Sequence, residues 1–143
     1  MTLLSKAAVA AALFICMAGY STAQDYGPKD AQGTPASVHS VQSGGHWERG
    51  NDEGFYRVLV TSGGFEHVIA RLFIQWIVLD QDKREYRLQR SVEVKEIGIA
   101  SVITPSPKFA MKGNWTMPVA ITRRDGKREK RTVTVRPDGY SFK

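Results

Sequence analysis

Six cations stand almost side by side near the end of the chain: Arg123, Arg124, Lys127, Arg128, Lys130 and Arg131. Only Asp125, Gly126 and Glu129 interrupt them. Guanidinium and ammonium groups at this density suit contact with anions, and the partner classes that fit are anionic lipid, acidic polysaccharide or an acidic protein surface. Sequence-specific or single-stranded nucleic acid fits poorly, because no aromatic residue lies among the cations for base stacking. The same charges would also serve a simpler end, keeping an exposed hairpin soluble and free of edge-to-edge pairing.

The remaining reactive side chains form no recognised catalytic pattern. His39, His46 and His67 match neither a helix-borne nor a zinc-ligand spacing, so no metal site is expected. Asp52/Glu53 and Asp80/Asp82 sit in turn-like sequence, where aspartates commonly bond nearby backbone. Neither pair continues into a calcium-binding loop with a terminal bidentate glutamate. Glu66-His67 after Gly63-Gly64 could provide a base with an orienting partner, but no G-x-S-x-G nucleophile motif accompanies it. A small hydrolytic or metal-dependent enzyme is thus the second reading, recognisable by a pocket with convergent polar groups near Asp52, Glu66 or His67. No cofactor is expected.

The aromatic residues Phe55, Tyr56, Phe65, Phe73, Trp76, Tyr86, Phe109 and Trp115 fall mostly at alternate positions, which predicts that most belong to a core. Trp47 is the exception. It lies in polar, glycine-flanked sequence between His46 and Glu48, and is either an exposed candidate ligand anchor or a residue that packs the lead onto the domain.

The cations require an element to carry them, and Asp125-Gly126 between alternating stretches signals a β-hairpin. A two-residue loop would send Val119 and Ile121 to the face opposite Val133 and Val135. A three-residue loop, Arg124-Asp125-Gly126, puts all four on one face, with Gly126 left-handed in a bulge. The three-residue loop is therefore predicted. Neither face is apolar across residues 122–132, so the arms are expected to project by roughly 13 Å at about 3.3 Å per residue.

Period-two patterning extends through most of the chain. Residues 55–61 read as a strand closed by Ser62-Gly63-Gly64. Residues 68–78 read as a strand rather than a helix, because a helix would leave Ile74 and Val78 on its polar side. A turn at residues 80–83 leads into 84–97, where Tyr86, Leu88, Val92 and Val94 share a face. A three-residue loop there would set Val78 opposite Tyr86 and Trp76 opposite Leu88. Further strands are expected at 99–104, at 109–121, where Pro118 marks an edge, bulge or crossing, and from 132 to the end. Six to eight strands with no convincing helix predict an all-β fold, an antiparallel β-sandwich (immunoglobulin-like) or a small barrel.

Residues 1–23 read as a signal peptide: Lys6 is the sole charge, residues 7–19 are almost wholly apolar, and Ser21-Thr22-Ala23 offers small residues for cleavage. Residues 24–45 read as a flexible lead with a short strand near 38–41, and 46–143 as a single β domain. The only cysteine, Cys16, lies in the signal, so the mature domain is expected to lack disulfides and thiolate sites. After signal removal no transmembrane segment is expected: residues 68–79 include Arg71 and Gln75 and fall short of the roughly twenty apolar residues that span a bilayer. Together these features predict an exported binding or accessory domain, periplasmic or extracellular, that acts by surface recognition rather than catalysis. A passive structural envelope protein is the third reading.

Overall fold

Residues of period-two patterning build two four-stranded antiparallel sheets, in a computed structural model that describes residues 32–143. The expected signal peptide and residues 24–31 of the lead lie outside the described residues. Residues 34–143 form one compact unit. The first sheet contains β1 (Val38–Arg49), β2 (Asp52–Gly63), β3 (Ile69–Asp80) and β4 (Glu85–Glu93). The second contains β5 (Val102–Pro105), β6 (Trp115–Thr122), β7 (Arg128–Arg136) and β8 (Gly139–Phe142). Each sheet is a meander in chain order, joined to the other through a 3-10 turn, Lys95–Ile97, and residues 98–101. The layers are those of a sandwich, while the connectivity has none of the strand exchange between sheets that marks immunoglobulin domains.

Inward-facing residues supply the core. Tyr56, Val58 and Val60 of β2 and Leu72, Ile74, Trp76 and Val78 of β3 are buried against Trp115, Met117, Val119 and Ile121 of β6 and Val133 and Val135 of β7. Each such aliphatic side chain contributes about 1.5–3 kcal/mol of apolar burial, which offsets the entropy lost by ordering the chain. The stretch predicted as strand at 68–78 is strand from Ile69, and the strand runs on to Asp80. Pro118 does not lie on an edge strand. Its carbonyl accepts Ser106 N–H at 2.8 Å on the β5 side, where the ladder has already ended after Pro105–Val119, so its missing donor interrupts no pairing.

Two expectations are corrected. The short strand expected near 38–41 is present, but 42–45, assigned to a flexible lead, continues it: all of 38–45 is the first part of β1 and pairs with β2 from Val38–Thr61 onward. Its inward residues Ser40, Gln42 and Gly44 are small or polar, so alternation is invisible in their sequence. The β3–β4 connection is also longer than expected: Asp80 pairs with Glu85, leaving four residues in the loop, with Arg84 at φ +54°. A bulge then sets Trp76 opposite Arg90 but Ile77 opposite Leu88. Val92 and Val94 consequently face the core, while Tyr86 and Leu88 point outward and are exposed. Outside, Tyr86 meets Phe55 edge to face at 5.1 Å; the guanidinium of exposed Arg90 lies 5.0 Å from the centre of the Trp76 ring.

Candidate functional site: the basic hairpin and its end of the sandwich

The hairpin forms with the three-residue loop that its sequence predicts. Arg123 N–H donates to Lys127 carbonyl at 2.8 Å, and Gly126 N–H donates to Arg123 carbonyl at 3.0 Å. Gly126 takes φ +83°, a left-handed conformation that suits a residue without Cβ. Asp125 Oδ1 accepts Lys127 N–H at 2.9 Å, so the tip acid is turned toward backbone. Val119, Ile121, Val133 and Val135 all face the core, as the register argument requires.

The hairpin is docked more closely than a free finger. β5 pairs with β6 as far as Thr122, so on that edge only residues beyond 122 extend past the sheet. The expected projection from 122 to 132 is therefore shorter and partly covered. Arg123 supplies the covering contact. Its Nε donates to Glu129 Oε1 at 2.6 Å, and Nη1 donates to the carbonyls of Ile99, at 2.9 Å, and Ile97. Glu129 Oε2 also meets Arg131 Nη2 at 2.9 Å. The hydrogen bond from Arg123 holds the Glu129 carboxyl below its usual value, burial opposes this, and the charges of Arg123, Arg131 and Lys127 add to it.

These contacts divide the six expected contact residues. Arg123 and Arg131 are committed to Glu129 and the neighbouring backbone. Arg124, Lys127, Arg128 and Lys130 are exposed and form no ion pair among the described residues. Arg128 and Lys130 lie across β6 from Thr122 and Ala120, on the face of the second sheet turned away from the core.

Trp47 is corrected from anchor to core. It is 2% exposed, and its Nε1–H donates to Phe55 carbonyl at 3.0 Å. A break in β1 register between Gly44 and Trp47, with Gly45 at φ +70°, turns the indole inward. There the Phe109 ring lies against Gly44, where a Cβ would stand 2.6 Å from it.

His46, Asp52 and Asp80 are engaged in local structure. His46 Nε2 lies 2.9 Å from Glu48 Oε1 and 3.9 Å from Glu53 Oε2. Asp52 accepts Gln89 Nε2 at 2.9 Å, and Asp80 accepts Lys83 N–H at 3.1 Å. No three His, Cys, Asp or Glu side chains converge as a metal site among the described residues. His39 rims a depression of about 160 Å³ lined by Val60, Val68, Ala70, Val102 and Ile103, with only Ser62 and Ser101 as further polar groups.

A feature that the sequence reading missed lies at this same end. Phe65, expected in the core, is 103% exposed in the loop at residues 64–68. Ile99 is 61% exposed, and Val68 and Val102 are each 48% exposed. A glycine pair followed by an aromatic was the available signal, since such a loop has no strand to turn its side chains inward.

In the core, the Tyr56 hydroxyl and Trp115 indole N–H have no hydrogen-bond partner among the described residues. Burial pushes Tyr56 up to about 12, with the nearby Trp115 N–H opposing and Asp138 reinforcing the shift. Tyr140 is also pushed up to about 12, first by burial and then by its contact with Glu96. Its hydroxyl lies 2.8 Å from Glu96 Oε2 and 3.2 Å from the Glu93 carbonyl, tying β8 to the crossover.

No protein-family model matches the chain, and no curated protein or solved structure does either.

Proposed function

We propose that the protein is an exported recognition or accessory domain that contacts an anionic partner, in the periplasm or outside the cell, through its β6–β7 hairpin, without catalysis. The observation that carries this reading is the set of four exposed cations, Arg124, Lys127, Arg128 and Lys130, with no acid paired to them among the described residues. The Arg123 contacts dock the hairpin without the four further charges, which leaves those side chains free to meet a partner. Solvent-exposed cations attract anions with an energy that salt screens over about 8–10 Å, so binding through them must weaken as ionic strength rises.

The test replaces those four residues with serine and leaves Arg123 and Arg131 in place, so that the docking of the hairpin survives. The unaltered full chain should bind an immobilised polyanion at low salt and elute as salt rises, while the variant should pass through unretained. Equal retention of both chains at low salt would reduce the hairpin to a solubility device. Mass spectrometry of the exported chain should find an amino terminus at Gln24.

A further inference from the structure

We infer that the anionic partner is a lipid bilayer, which the domain meets with Phe65 and the hairpin cations acting together. This rests on the hairpin reading and adds an apolar half to it. The loop that carries Phe65 leads into β3, where Ala70 N–H donates to Ala100 carbonyl at 2.9 Å and so holds Ile99 alongside. Val68 and Val102 line the same depression. Val102 then pairs with Thr122, and Thr122 with Arg128. Three separate chain segments thus bring exposed apolar side chains and unpaired cations to one end of the sandwich.

That combination discriminates between anionic partners. An acidic polysaccharide would satisfy Arg124, Lys127 and Arg128 but leave Phe65 in water. A folded protein would need a pocket matched to each apolar side chain, and these stand on different segments with cations beside them. A bilayer surface is fluid and demands no such match. Its headgroup layer receives the cations, and the acyl boundary below receives an aromatic ring from a narrow loop. Asp125, bonded to backbone, and Glu66 each keep a negative charge, and the four cations Arg124, Lys127, Arg128 and Lys130 outnumber them.

Phe65→Trp in the exported chain, from Gln24 onward, provides a local reporter, because Trp47, Trp76 and Trp115 are all buried. Relative to the unaltered chain, the introduced indole should shift to the blue and be quenched by bromine-labelled acyl chains in vesicles containing phosphatidylglycerol. It should respond far less to phosphatidylcholine alone, and high salt should reverse the effect. Phe65→Ser should weaken partitioning onto the anionic vesicles by roughly tenfold while leaving retention on immobilised polyphosphate unchanged. If polyphosphate retention depends on the hairpin but the introduced indole stays in water on every vesicle, the bilayer inference falls and the hairpin reading stands. If neither measurement responds to the four serine substitutions, both fall.

Discussion

Arg123 and Glu129 face each other across the β6–β7 hairpin, the guanidinium Nε 2.6 Å from the carboxylate Oε1, while the same guanidinium reaches the carbonyls of Ile97 and Ile99. One side chain therefore ties the basic hairpin to the crossover between the sheets. Arg123→Ala leaves the backbone carbonyls of this crossover without their donor and should cost about 1–3 kcal/mol in chemical unfolding. Arg124→Ala, one residue on and exposed, should change stability by less than about 0.5 kcal/mol. Equal effects would show that Arg123 is no more structural than its neighbour.

Glu129 adds an acid limb to the same contact. Its folded carboxyl titrates below the usual 4.5, so its contribution to stability is present above that value and is lost as pH falls through the lower folded value. Unfolding midpoints measured downward from neutral pH should show this loss in the unaltered chain. Glu129→Gln should be less stable at neutral pH and lack that increment of acid sensitivity. Parallel acid curves for the two chains would contradict the assignment.

Two buried or half-buried tyrosines should behave oppositely on losing their hydroxyls. Tyr56→Phe removes a buried group with no partner, so stability should stay level or rise by up to about 1 kcal/mol. Tyr140→Phe breaks the link to Glu93 and Glu96 and should cost about 0.5–1 kcal/mol. Both hydroxyls ionise near 12 when folded, against an ordinary 10.0, so neither makes stability depend on pH below 10, and the fold weakens as pH rises from 10 toward 12 because only the unfolded chain ionises them freely. Tyrosinate absorbance should show one late-titrating group fewer in each variant.

Glycines at two positions should differ sharply. A Cβ at Gly54 would lie 1.8 Å from the Ile77 carbonyl oxygen, a backbone atom that no rotamer change can move. Gly54→Ala should therefore cost upward of about 3 kcal/mol or prevent folding. At Gly126 the space is open and only the φ of +83° resists substitution, so Gly126→Ala should cost about 1–2 kcal/mol. Denaturant midpoints of the two variants provide the comparison.

What the sequence disclosed depended on whether a residue's role was local. The β6–β7 register followed from four aliphatic residues that had to share a face, and only one loop length allowed it. The strand at residues 68–78 was legible for the same reason. The β3–β4 register was not, because neither the bulge between Leu88 and Arg90 nor the left-handed Arg84 leaves a compositional mark. Trp47 misled because its own strand contains serine, glutamine and glycine at the inward positions before it, and the ring that covers Gly44 comes from Phe109. The basic run was visible as a charge cluster. Its division into structural and free cations was not, since Arg123 finds its carbonyls on a distant stretch of chain.

The two meanders also bear on how the chain acquires its form. Every hydrogen-bonded ladder of the first sheet is contained in residues 38–93, and every ladder of the second in residues 102–142. Each sheet can thus assemble from neighbouring hairpins, with short loops to close and no strand borrowed from the other half. Neither can hide its apolar face alone, so collapse of one half onto the other becomes the late, cooperative event. The residues around Gly98 connect the two halves, and Arg123, reaching back to Ile97 and Ile99, fastens the second sheet to that connection.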